Sequence, residues 1–233
     1  MIEDLRALLA QGNIVLTDEA QDRLLAYHRL LLEWNARMDL TNVPEEEMAL
    51  RHYADSLLPL ARTEWFPDGA RLIDVGTGAG FPGVPLLLAR PDLRMTLLDA
   101  LQKRIAFLTE TLNDIGASAE CVHARVEDFA RERRETYDAA LSRAVAPLPV
   151  LLEWLLPLVR VGGRCILWKG PAAQQEMDDA KRVSALLGGG EPIVRKASAS
   201  SSASGHVLVF VDKLAPTSPK FPRKAGMAKK RPL

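Results

Sequence analysis

The residues of this chain best suited to chemistry are a carboxylate and a row of glycines, Asp74-Val-Gly76-Thr-Gly78-Ala-Gly80, followed by Phe81-Pro82-Gly83. A short apolar run leads into the glycines and another apolar run leaves them. Backbone of this kind, between a strand and a helix, offers free N–H groups and lets a ligand approach closely. Two ligand classes fit the string. Gly78-Ala-Gly80-Phe-Pro-Gly83 satisfies the dinucleotide pattern G-x-G-x-x-G, whereas Asp74-x-Gly76-x-Gly78-x-Gly80 satisfies the acidic pattern typical of S-adenosylmethionine sites. Either pattern alone is a weak signal. No Gly-Lys-Ser/Thr follows, which excludes a phosphate P-loop.

Three features favour the methyl donor. Asp74 beside the loop would repel a pyrophosphate and welcome an ammonium and a sulfonium. Asp99 ends the next apolar run, where a carboxylate accepts both ribose hydroxyls; this suits NAD and S-adenosylmethionine equally. The third feature is the antiparallel finish of the sheet described below. A buried turn-former and a strand-end cap are the bland readings of Asp74 and Asp99. Glu127, in "ARVEDFA", falls where an adenine would lie, and a surface carboxylate is the alternative. Arg143 falls at the end of the fourth strand, where an arginine clamps a carboxylate or phosphate with two parallel bonds, or else pairs with a loop acid.

These groups need a scaffold. Thr17 or Asp18 can cap a helix whose Leu24, Tyr27, Leu31, Trp34 and Met38 fall three and four apart on one face. Pro44 and three glutamates suit the first turn of another helix, running through "MALRHYADSLLPLA". Residues 1–65 therefore read as a helical region with no strand. The texture then changes. "RLIDV", "RMTLLDA", "AECVHA", "YDAALSRA" and "RCILWKG" read as strands, separated by an apolar helix after the glycines, a helix on Ile105, Leu108, Leu112 and Ile115, and helices over 148–159 and 172–187. Strand alternating with helix implies right-handed crossovers and a parallel sheet covered on both faces. "EPIVRKA" and "HVLVFVD" are strands too, but only the serine-rich 198–205 separates them. A parallel crossover needs a dozen residues or more, so these two should reverse direction. The expected fold is α/β, Rossmann-like: a mostly parallel seven-stranded sheet with an antiparallel last strand, over 66–213.

Length and composition agree. The 233 residues, 48% hydrophobic, suit one α/β domain with an extension, or two small domains. The chain opens without a signal-peptide pattern, and its most apolar window contains Glu153 and three prolines. Cys121 and Cys165 sit in apolar runs and read as buried structural thiols in a reducing compartment, so a soluble cytoplasmic protein is expected. Net charge is zero but uneven: 214–233 carries six Lys/Arg and no acid, which leaves the rest at −6. Such a tail either meets nucleic acid or is disordered and solubilising.

Other chemistry is not readable. His28, His52, His123 and His206 form no metal-binding pair. The fourth strand is not followed by the tetrapeptide that methylates exocyclic amines, and no Pro-Cys supplies a nucleophile for a pyrimidine carbon. A ring nitrogen with a free lone pair, such as guanine N7, needs neither. The donor's methyl is already activated, so aligning lone pair, methyl carbon and sulfur suffices.

Taken together, "WNARMDLTNV", "RHYADSL", "DVGTGAGFPGVPL", "LLDALQKRIAFL", "RVEDF", "SRAVAPL", "LWKG" and "PKFPRKAGMAKKRPL" resemble the bacterial small-subunit ribosomal RNA guanine-N7 methyltransferases, the RsmG or GidB family, over nearly the whole chain. The resemblance implies S-adenosylmethionine-dependent N7 methylation of one guanosine of 16S RNA near the decoding centre. It implies that Gly76, Gly78 and Phe81 form the cofactor loop, that Val126 and Glu127 contact adenine, and that Arg143 lies near the methionine end; it supplies no general base. The family tail often has Pro where this chain has Ala228. With the resemblance, the basic tail reads as an RNA contact through Lys220, Arg223 and Lys224, with salt-dependent binding. Arg51 and His52 are candidates to line the same groove, and Lys169 either faces the acceptor or is solvated. A monomer with no membrane or metal partner is expected. A methyltransferase for a protein or small-molecule acceptor, and a non-enzymatic RNA-binding module, are the competing readings.

Overall fold

The computed structural model describes residues 1–143, 145–195 and 206–233. Strands β1 (Arg71–Val75), β2 (Arg94–Asp99), β3 (Glu120–His123), β4 (Tyr137–Arg143), β5 (Val159–Lys169), β6 (Ile193–Arg195) and β7 (Val207–Asp212) form one sheet in the order β3-β2-β1-β4-β5-β7-β6. The first five are mutually parallel, β7 runs antiparallel to β5, and β6 pairs antiparallel with β7. The expected reversal of the last two strands is thus found. The serine-rich 198–205 lies outside the described residues. The chain winds outward from β1 to β3, then returns to start β4 on the other side of β1. A crevice opens where the order reverses, at the carboxyl ends of β1 and β4.

Period-two alternation sorts the sheet's two faces. Leu72, Leu141, Ile166 and Trp168 belong to one apolar cluster, while Ile73, Ala140, Cys165 and Leu167 belong to the other. The first cluster is shared with the helical region. There α1 (Ile2–Ala10) contributes Leu5 and Leu9, and α2 (Asp18–Met38) contributes fully buried Leu24, Tyr27 and Leu31. The Thr17 side chain accepts from the Ala20 N–H at 3.2 Å, satisfying one of the free amides at the start of α2. Trp34 and Met38 are only partly buried against the same cluster. α5 (Gly83–Ala89) and α6 (Gln102–Asp114) add Val84, Leu86, Phe107 and Leu108 to the first cluster, and the second face is covered by α7 (Val126–Glu132), α8 (Leu148–Leu155) and α9 (Met177–Leu186).

After Pro44 the chain forms α3 (Glu45–Met48), a π-helical turn (Ala49–Ala54), α4 (Asp55–Leu57) and a 3-10 turn (Leu58–Ala61). The widened turn was not expected; it bears directly on the site. Three boundaries also differ from the sequence expectation. β5 begins at Val159 instead of Arg164, because Gly163 lets the strand pass close to β4: an added Cβ there would lie 2.5 Å from the Asp138 carbonyl oxygen. The helix from Leu148 stops at Leu155, and the next begins with a 3-10 turn over Pro171–Glu176.

The tail departs most from expectation. It is folded onto the domain. Arg134 donates to the carbonyls of Thr217 (2.7 Å) and Phe221 (2.5 Å), Arg182 donates to that of Leu233 (2.7 Å), and Ala228 is buried in the second cluster. A solvated, disordered extension is therefore excluded for the described tail.

Candidate active site

The loop after β1 is shaped by what its glycines avoid. Gly76 has φ +72°, and a Cβ there would lie 2.8 Å from Val145 Cγ2. Gly78 has φ +60°, yet an added Cβ would find no protein atom nearer than the Gly76 carbonyl at 4.0 Å. The space it would fill is a cavity of about 560 Å³ at the crevice. Gly76, Gly78, Phe81, Asp99, Val126, Glu127 and Arg143 all line it, so one concavity collects seven residues from four separate stretches of chain. Lys169, Lys220, Arg223 and Lys224 are not among its lining.

Asp99 holds the loop to β2. Its Oδ2 accepts from the Gly78 N–H at 3.0 Å and from Arg104 Nη1 at 3.2 Å, and its Oδ1 accepts from the Leu101 N–H at 2.9 Å. Tyr27 donates its hydroxyl to the Ala79 carbonyl, fastening α2 to the same loop. Glu127 stands in the first turn of α7, nearly buried, and its Oε1 accepts from the Gly226 N–H at 2.9 Å.

Asp74 is a correction to the sequence reading. It is fully buried and does not line the cavity. Its Oδ2 accepts from Thr77 Oγ1 at 2.7 Å and from the Gly83 N–H at 2.9 Å, bracing the loop from beneath. Oδ1 is buried with no partner among the described residues. Burial raises the carboxyl to about 6, against the opposing hydrogen bonds from Thr77 and Gly83. A folded-state pKa above the unfolded one contributes stability at low pH that is lost as pH rises through about 6. Urea denaturation should show Asp74→Asn gaining on the parent by about 1 kcal/mol between pH 5 and pH 7. A pH-independent difference would mean that Asp74 stays ionised throughout.

At the other end of the cavity, Arg143 and the π-helical turn form one cluster. Arg143 Nη1 donates to the Arg51 carbonyl at 3.0 Å and lies 3.4 Å from Asp55 Oδ2, while Nη2 donates to His52 Nδ1 at 3.1 Å. The guanidinium stands 5.2 Å from the centre of the Phe81 ring, on which the His52 imidazole stacks at 4.3 Å and 15°. Because Arg143 can only donate, Nδ1 is the acceptor, so Nε2 carries the proton and donates to Thr41 Oγ1 at 2.7 Å. Burial, reinforced by the Arg143 charge, lowers His52 to about 3. The imidazole is neutral at physiological pH, with its lone pair engaged.

The remaining expectations fall elsewhere. Lys169 is nearly buried: Nζ donates to the Ala146 carbonyl at 2.9 Å and pairs with Glu176 at 3.0 Å. It secures the segment after β4 and does not reach the cavity. Arg223 is bound to Glu153, whereas Lys220 and Lys224 are exposed. Reading the sequence missed Thr41, Arg104, Trp154, Gly226 and Lys229, which also line the cavity. No local signal marks them, since Gly226 meets Glu127 across 99 residues of chain.

The lining fits the donor suggested by the glycine pattern. A loop position open only to glycine, a carboxylate at the end of β2 and a second carboxylate in α7 suit an adenosine with its ribose hydroxyls and exocyclic amine. Among the described residues no cluster of His, Cys, Asp and Glu could hold a metal ion, and no helix is long and apolar enough to cross a membrane.

Comparison with known proteins agrees. A family profile described as GidB, rRNA small subunit methyltransferase G, matches residues 20–203. The ribosomal RNA small subunit methyltransferase G of Alkaliphilus oremlandii is 44% identical over 232 residues, covering 96% of this chain and 95% of that protein. Among solved structures, M. jannaschii TYW2 in complex with AdoMet is 15% identical at a TM-score of 0.53, covering 69% of this chain and 77% of that one. The [4+2]-cyclase SpnF is 14% identical at 0.54, covering 88% and 98%. At such identities the likeness concerns the fold alone, and a cyclase among the neighbours shows that this fold does not dictate one reaction.

Proposed function

Since the chain belongs to the GidB family of small-subunit ribosomal RNA methyltransferases, and is thus an S-adenosylmethionine-dependent methyltransferase, we propose that it methylates N7 of a single guanosine of 16S RNA by in-line displacement, without a general base. Bound S-adenosylmethionine supplies a methyl group already activated by its sulfonium. Gly76, Gly78 and Phe81 bound its cradle, Asp99 takes the ribose hydroxyls, Val126 and Glu127 hold the adenine, and Arg143 fixes the end at which the acceptor enters. The protein works as a monomer in the cytoplasm, and the exposed Lys220 and Lys224 meet RNA phosphates.

The observation that carries the choice of acceptor is the state of His52. It is the imidazole lining the cavity, and its Nδ1 lone pair is engaged by Arg143 while burial and that same charge lower its pKa to about 3. A residue so held is a poor proton acceptor. With the cavity's carboxylates Asp99 and Glu127 assigned to the donor, this supports an acceptor that has no proton to lose, such as guanine N7. The protein's part is to align the three reacting centres and exclude water.

The test is transfer of radiolabelled methyl to small-subunit ribosomal RNA from cells lacking the enzyme, followed by strand cleavage at N7-methylated guanosine. Label on one guanosine is expected. Label on an exocyclic amine, or on protein, would overturn the assignment. A second expectation concerns pH: single-turnover methyl transfer should be flat between pH 7 and pH 9. A rate rising tenfold per pH unit would reveal a titrating base and overturn the mechanism.

A further inference from the structure

The tail forms part of the cavity wall. Gly226 and Lys229 both line it, and the Gly226 N–H is held by Glu127, the carboxylate assigned above to the adenine. The segment reaches this place by a second, deeper anchor. Arg223 donates to Glu153 from its backbone N–H (3.0 Å), from Nε (2.8 Å) and from Nη2 (2.6 Å), and the Glu153 side chain is only 1% exposed. Beside Glu153 on α8 is Trp154, another lining residue, with Lys229 Nζ 5.3 Å from the centre of its ring. Ala228, 1% exposed, packs into the apolar cluster that also contains Val126 and Trp154.

We infer that residues 221–230 are a strap that completes the adenine end of the donor site, and that RNA held by the strap's outward cations tightens donor binding through it. The inference rests on the functional reading above. Lys224 and Lys230 of the strap and the flanking Lys220 and Arg231 are exposed, while Arg223 and Ala228 face inward and Lys229 lies over Trp154. One segment thus presents a charged side to solvent and a fitted side to the cavity. Glu127 belongs to both contacts: fixing one of its oxygens on Gly226 orients the carboxylate that takes the adenine. A ligand that holds the strap down therefore preorganises the donor site, and linkage requires the donor to tighten RNA binding by the same factor.

The upstream anchors are independent of the strap. Lys213 Nζ donates to the Leu156 carbonyl, and Thr217 Oγ1 donates to that of Leu187 at 2.6 Å. A chain ending after Lys220 keeps both. The experiment titrates S-adenosylmethionine by calorimetry into the full chain, into that truncation, and into full-length Ala228→Glu, which forces the strap off its apolar seat. Both variants should melt cooperatively and bind the donor at least tenfold more weakly. Saturating 16S RNA should tighten donor binding to the full chain at least threefold and leave the truncation unchanged. Unaltered donor affinity in either cooperatively melting variant overturns the inference. So does loss of cooperative melting in both, which would make the segment a part of the folding core. Failure of the full chain to bind the donor at all would sink the functional reading and the inference with it.

Discussion

Replacing Gly78 with valine should reduce S-adenosylmethionine affinity by more than a hundredfold while the protein still folds. The position combines two properties that seldom coincide. Its φ of +60° disfavours any side chain, and a Cβ added there would meet no protein atom nearer than the Gly76 carbonyl at 4.0 Å. The added isopropyl group therefore spares the protein and meets the ligand. A hundredfold loss corresponds to about 2.7 kcal/mol. Adopting left-handed backbone with a β-branched residue costs about 1–3 kcal/mol, which lowers the melting temperature without unfolding the chain. Gly78→Ala should fall between the two. Calorimetric titration against thermal melting separates the effects: an undiminished donor affinity in Gly78→Val would remove the loop from the donor site.

Arg143→Gln should lower kcat/KM about a hundredfold, about 2.7 kcal/mol of transition-state stabilisation. Arg143 joins the Arg51 carbonyl, His52 Nδ1 and Asp55 through one planar fork that glutamine cannot span. The variant has a second readout that a purely structural role would not move. Burial is the first cause of the low His52 pKa and the Arg143 charge the second, so removing the charge should shift the imidazole titration upward by NMR. An activity loss with the His52 titration unmoved would mean that Arg143 acts on substrate alone and does not set the imidazole's state.

How much of this was legible follows from the range of the interactions involved. The strands and the reversal at the end of the sheet were readable because apolar runs, alternation and connection length are local properties. The cavity's principal lining was readable for the same reason: Asp99 and Arg143 end strands, and strand ends face the crevice. Asp74 was misplaced because a strand residue has two faces to choose from, and the glycines after it do not say which; the side chain lies beneath the loop, with Thr77 and Gly83. The strand expected over 164–170 starts earlier, at Val159, because Gly163 lets it pass close to β4, and that contact is not written in the apolar run itself. The tail's composition left open a nucleic-acid contact or a disordered solubilising extension, and neither reading contained its packing against the domain. Three of its ties, Arg223 to Glu153, Gly226 to Glu127 and Ala228 to the apolar cluster, depend on partners far away in the chain. No window of sequence contains both halves.

The π-helical turn Ala49–Ala54 gives the helical lead a surplus residue relative to the regular helical track on either side of it. That surplus changes the phase of everything upstream with respect to α4. Within this one short turn His52 stacks on Phe81 and the Arg51 carbonyl accepts from Arg143. In a uniform α-helix successive side chains diverge by about 100°, and its carbonyls stay committed to the helix's own amides. The lead is therefore not interchangeable padding around a catalytic sheet. Its reading frame against the crevice is set by an irregularity one residue deep, and deleting one residue from the turn would bring other side chains against Arg143 and Phe81.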